Sequence, residues 1–229
     1  MAWRLQVADV GAGVRTEPVR PGAASWWWCL VRGDGDRPTR LIEVESDRYP
    51  DGAQVELGAE AARIQIGRHA ICTADLDDDR VVRRLHVAPG WAPSAPLIWF
   101  AELRESAAHP PAVALLAFTG AGRKPGELLD EAALRGVSVG SADQLGAFRW
   151  YPATGEADQL YVQPQWRRRH IAASLLAAAE LLSVARGWPR FWADGQRTEL
   201  GERARNARSW AQRTADLTHL HPPMTPAER

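Results

Sequence analysis

Residues 146–193 read GAFRWYPATGEADQLYVQPQWRRRHIAASLLAAAELLSVARGWPRFWA, and the change of period inside this stretch decides the fold. Two runs rich in aromatic and branched residues, 146–151 and 157–162, flank Pro152-Ala153-Thr154-Gly155-Glu156, which predicts an antiparallel hairpin with a short turn. After Gln163-Pro164-Gln165 the apolar residues recur at helical spacing, with Ile171, Leu175, Ala178, Leu182 and Ala185 on one face. That spacing predicts a helix over 166–186, stopped by Gly187. Residues 188–193 read as a further short strand, ended by Asp194-Gly195. Strand, helix and strand in a unit of this size predict a parallel pair joined by a right-handed crossover.

The junction between hairpin and helix is where chemistry is expected. The first turn of a helix carries unpaired backbone N–H groups and the positive end of the helix dipole, so it can receive a phosphate. In this reading the turn holds Arg167-Arg168-Arg169-His170, whose guanidinium donors suit a diphosphate. A basic helix end on a solvated face is the other reading of the same residues.

The string LYVQPQWRRRHIAASLL, residues 160–176, resembles the signature of the GCN5-related N-acetyltransferase (GNAT) superfamily. There a strand ending in V-x-P leads into Q/R-x-x-G-x-G/A and then a helix. The resemblance covers about 65 residues. It implies acetyl-CoA, or another acyl-CoA, as cosubstrate, its diphosphate cradled by the loop amides and its pantetheine arm paired with the preceding strand. Position by position, Arg167 matches the opening Q/R, His170 falls on the first glycine and Ala172 satisfies the final G/A. Arg168, Arg169 and Ile171 complete the loop, and Leu160, Tyr161 and Val162 are the implied pantetheine-facing strand. His170 departs from the pattern, because a β-carbon and an imidazole crowd a backbone that glycine leaves accessible.

Direct acyl transfer to an amine needs a base for the ammonium proton, an amide to hold the thioester carbonyl and an acid for the departing thiolate. The resemblance implies a tyrosine acid in the helix after the second core strand, yet residues 196–207 contain no tyrosine. Glu156, Asp158 and Asp194 are the carboxylates near the expected site, and His170 is a further candidate base. The pair of closing strands usual in the family is not evident after Trp210 either. Two functions follow. One is a divergent acyl-CoA-dependent N-acyltransferase acting on a small-molecule or protein amine. The other is a catalytically inactive GNAT-like module for binding or assembly, with the Trp-rich N-terminal half as partner surface.

Outward from this core, residues 1–90 read as a β-rich region of short runs, 25–31, 40–45, 54–57, 62–66, 70–74 and 81–87, separated by Gly, Asp and Pro breakers. The proline-rich segment 89–96 marks a boundary. Beyond it, 97–103 and 112–118 read as strands and 125–135 as a helix with Pro125 near its start. The organisation expected is therefore a β-rich region at 1–90, a GNAT-like region at 91–215 and a proline-rich tail at 216–229, in a mixed α/β fold. No internal repeat is visible.

Acidic and basic residues balance at 28 each among 229, so no global field gathers nucleic acid or an anionic membrane, and self-association is left open. No apolar run approaches the roughly 20 residues of a membrane helix. Asp9 stands where a signal peptide is apolar, so the expectation is a cytoplasmic chain. The eleven tryptophans point first to a packed β core. Cys29 and Cys72 read as reduced buried thiols. His219 and His221 lack a third partner, so no metal site is expected.

Overall fold

The computed structural model describes residues 25–33, 38–140, 142–199, 201–202 and 214–221. They form a mixed α/β structure in which one helix lies between two five-stranded sheets. The first sheet is built from β1 (Ser25–Val31), β2 (Thr39–Ser46), β3 (Gln54–Leu57), β4 (Ala70–Leu76) and β5 (Val82–Val87), in the order β3-β1-β2-β4-β5. The second is built from β6 (Trp99–Glu105), β7 (Ala112–Phe118), β8 (Leu128–Leu129), β9 (Gln144–Tyr151) and β10 (Glu156–Val162), in the order β10-β9-β7-β6-β8. Helix α1 (Ala59–Ile66) precedes β4, and the four-residue α2 (Glu131–Leu134) precedes β9.

These two sheets are the same unit built twice. In each, a hairpin is followed by a strand that pairs in parallel with the hairpin's first strand, then a helix, then a second hairpin. The registers coincide. The row Gln54, Trp28, Glu43, Cys72, Val87 of the first sheet is matched by Leu128, Phe100, Ala117, Gly146, Val162 of the second. Even the bulges recur. The β2/β4 ladder slips between Glu43 and Val44 as the β7/β9 ladder slips between Ala117 and Phe118, and Arg83 is the bulged residue of β5 as Asp158 is of β10. Turn bonds correspond as well: Trp91 N donates to Ala88 O and Trp166 N to Gln163 O, each at 2.9 Å. The repeat that the sequence conceals is thus explicit in the backbone, and its one plain trace is L-x-V-x-P-x-W, at Leu85, Val87, Pro89, Trp91 and at Leu160, Val162, Pro164, Trp166.

Helix α3 (Ile171–Ala185) occurs only after the second copy, and both copies use it. It touches β2, β4 and β5 on one side and the corresponding β7, β9 and β10 on the other. Twelve of its fifteen residues are buried, so it has no solvent face of the amphipathic kind expected from the sequence. Leu175, Leu181 and Leu182 are fully buried, each worth about 1.5–3 kcal/mol relative to an exposed side chain. Gly146 permits the close approach on one side: a β-carbon there would lie 2.5 Å from the Tyr161 carbonyl oxygen and 3.2 Å from Leu175 Cδ1.

Ion pairs anchor the far end of α3. Arg186 clasps the buried carboxylate of Glu102 on β6 and lies over the Trp188 ring. Arg190 reaches Asp51 at 2.6 Å and Glu180, on α3, at 3.4 Å. Burial alone would raise the Glu102 pKa, but the hydrogen bonds and charges of Arg186 and Arg104 outweigh it and hold this carboxyl below its ordinary range. Trp27, Trp28, Trp99 and Trp150 are core residues, and each outer sheet face carries a small cluster centred on Trp27 or Trp99. Both cysteines are free and buried, and burial pushes the Cys29 thiol up to about 11 and Cys72 well above the usual thiol range.

Several expectations are corrected. Residues 62–66 belong to helix α1, where Glu60 and Arg63 pair one turn apart. The helix expected at 125–135 shrinks to α2 behind the Asp130 cap, because Leu128 and Leu129 are drawn into parallel pairing with Phe100 and Ala101. Residues 188–193 form no strand; Trp192 bridges Glu156 in parallel and Ala193 bridges Thr214. Within the expected proline-rich tail, His219–His221 form the short strand β12, paired in parallel with β11 (Gln196–Thr198). The readings at 1–10, 34–36, Trp210 and the prolines beyond 221 lie outside the described residues. No helix among the described residues is long and apolar enough to cross a membrane.

Candidate functional site

The strand-to-helix junction opens with a 3₁₀ turn, Pro164–Trp166, and α3 begins at Ile171, five residues later than the sequence spacing predicts. The arginines therefore lie in a loop ahead of the helix. Two residues of that loop break helical geometry: Arg168 has φ 62° and His170 has φ 57°, ψ 17°. The left-handed conformation is the one glycine adopts without penalty. His170 thus takes the backbone shape that a glycine would supply at this place.

His170 is the N-cap residue of α3 but provides no side-chain cap; its Nδ1 lies 2.7 Å from Ser94 Oγ in the β5–β6 connection. Its carbonyl accepts from Ser174 N at 2.9 Å. The backbone N–H groups from Arg168 to Ala173 make no hydrogen bond to another described residue. Six consecutive backbone donors are thus left unbonded to described residues at the positive end of a buried helix.

The arginine side chains divide by role. Arg167 turns back, its Nε donating to Val162 O at 3.2 Å, which satisfies the last carbonyl of β10. The Arg169 guanidinium lies over the Trp166 ring at 5.1 Å. Arg168 is exposed and pairs with no other described residue. Leu160, Tyr161 and Val162 are half-buried on β10, whose outer edge meets the chain at its start, where Ala157 N donates to Trp192 O. No other strand pairs with that edge among the described residues.

The acid and base candidates are not brought together. Glu156 begins β10 and His170 follows its far end, so the strand sets them about 20 Å apart along its axis. Asp158 is held by Arg149 and by Tyr151 Oη at 2.8 Å. Asp194 accepts from Gln196 N at 2.9 Å, closing a local turn. Sequence reasoning missed Ser94, although the repeated L-x-V-x-P-x-W was a usable signal that the 85–96 and 160–171 segments correspond. Among the described residues no group of three or more His, Cys, Asp or Glu side chains is placed to hold a metal ion.

No family model, curated protein or solved structure matches the chain.

Proposed function

We propose that this protein is a divergent acyl-CoA-dependent N-acyltransferase acting on a small-molecule or protein amine. In this reading the backbone donors of 168–173 receive the diphosphate of acetyl-CoA or another acyl-CoA, with Arg168 and Arg169 beside it. The open edge of β10 at Leu160, Tyr161 and Val162 pairs with the pantetheine arm. The left-handed backbone at His170 carries the proposal. It keeps the shape of a glycine in the signature loop at a cost of about 1–2 kcal/mol, and the neighbouring amides bond no described residue.

A second reading, a catalytically inactive module that only binds such a ligand, is favoured by the engagement of Asp158 and Asp194 in local structure and by the lack of a tyrosine in 196–207. One assay separates them. Millimolar acetyl-CoA should raise the melting temperature under either reading. Free thiol released from acetyl-CoA in the presence of an amine panel is expected only of the enzyme. A melting temperature that does not move contradicts both.

A further inference from the structure

A cavity of about 600 Å³ opens between the β5 edge and the connection from β7 to β8, and it shares no residue with the arginine loop before α3. Its lining carries Arg83, Arg84, Arg123 and Lys124 against a single carboxylate, Glu127. Glu127 is already engaged by Arg123 at 3.2 Å and by the Lys124 amide, and Arg83 by Asp77. Neither the Arg84 guanidinium nor the Lys124 ammonium pairs with another described residue. Cations gathered around one concavity repel one another unless an anion joins them.

The molecule contains its own control. At the equivalent positions of the other copy, Asp158 and Gln159 of β10 stand where Arg83 and Arg84 stand in β5, and Tyr49 and Pro50, between β2 and β3, stand where Arg123 and Lys124 stand between β7 and β8. The unit therefore folds without these cations. Its framework is nonetheless rigid: Leu85 N donates to Gly126 O at 2.7 Å, Gly126 N to Ile98 O at 2.7 Å and Phe100 N to Glu127 O at 2.8 Å. Gly126 has φ 77°, and a β-carbon there would lie 2.9 Å from the Leu85 carbonyl oxygen, so the loop is fixed in place by close backbone contact. On its rim, Ala121 and Gly122 offer backbone N–H groups that bond no described residue.

We infer that this cavity is a second anion site, which binds the phosphate groups of a phosphorylated small molecule through Arg84, Lys124 and the amides of Ala121 and Gly122. Its volume lies within the roughly 300–1,000 Å³ of small-ligand sites, whereas a nucleic acid requires a basic track longer than this open concavity.

Lys124 is the only lysine of the chain, which gives a site-resolved test. The rate at which an amine-reactive succinimidyl ester acylates Lys124 is followed by peptide mass spectrometry with inorganic pyrophosphate as probe. Protection of roughly tenfold is expected at about ten times Kd. It should disappear in Arg84→Gln and persist in Arg167→Ala/Arg169→Ala, so that failure here is distinct from failure of the acyl-CoA reading. Absent protection in the unmodified chain, equal protection by chloride at matched ionic strength, or protection by a single-stranded oligonucleotide alone overturns the inference.

Discussion

The two copies of the sheet unit share strand order, register and bulges, yet differ at every place where a ligand is proposed. After Trp91 the first copy runs through Pro93 and Pro96 straight into β6, whereas after Trp166 the second copy has three arginines, two left-handed residues and α3. The edge of β5 is sealed by Leu85 and Gly126, while β10 meets Trp192 only at its start. What both copies possess is what the fold needs: an inner face against α3, an outer face around one tryptophan and a bulged hairpin. What only one possesses is not required by the shared unit itself. Family resemblance alone would not show which features fall in which class.

The pair Glu102–Arg186 belongs to the second copy alone, since Leu30 occupies the Glu102 position in the first. Glu102→Ala should destabilise the protein by about 3–5 kcal/mol, because it leaves a guanidinium largely buried without its carboxylate. Glu102→Leu with Arg186→Met, which gives β6 the leucine of the first copy and removes the cation it would strand, should be near neutral in the same denaturant titration. A large loss in the double variant would break the equivalence of the two copies. Acid should act through the same pair. A lowered carboxyl pKa contributes stability in full above the ordinary glutamate value near 4.3, and that contribution fades as pH falls through the lower folded value. Melting curves below pH 4.3 should therefore decline less steeply in the double variant.

Gly146→Ala comes next in size. Cys72 tolerates a side chain at the matching place, but at Gly146 the β-carbon would press on the Tyr161 carbonyl, with an expected cost of about 1–3 kcal/mol. The same change should weaken acetyl-CoA binding by displacing the β10 edge. The smallest effect on stability is expected of His170→Gly, within about 1 kcal/mol, since relief of the left-handed residue offsets loss of the Ser94 contact. Its binding effect should have the opposite sign to that of Gly146→Ala: acetyl-CoA should bind more tightly once the imidazole is removed.

The hairpin around Gly155, the helix after it and the tryptophan core were legible because each rests on local period or on the size of one side chain. The repeat was not. Matched positions share burial and backbone geometry but not identity, as with Glu43 and Ala117 or Trp28 and Phe100. Helix α3 read as one-faced because Ser174, Glu180 and Ser183 interrupt its apolar residues, although two sheets bury them. In the candidate site the V-x-P run marked where the strand gives way to a loop and a helix. The turn of Arg167 onto Val162 and the contact of Ser94 with His170 were not legible, since both depend on geometry that spacing does not encode.

The central claim is that the backbone donors of 168–173 receive a diphosphate. Calorimetric titration with coenzyme A, run on the unmodified chain and on Arg168→Ala/Arg169→Ala, tests it most directly. A saturable heat with one ligand per chain, weakened about tenfold or more in the variant, an energy near 1.4 kcal/mol, is the expected result. No heat at millimolar coenzyme A, or equal affinity in both proteins, contradicts the account.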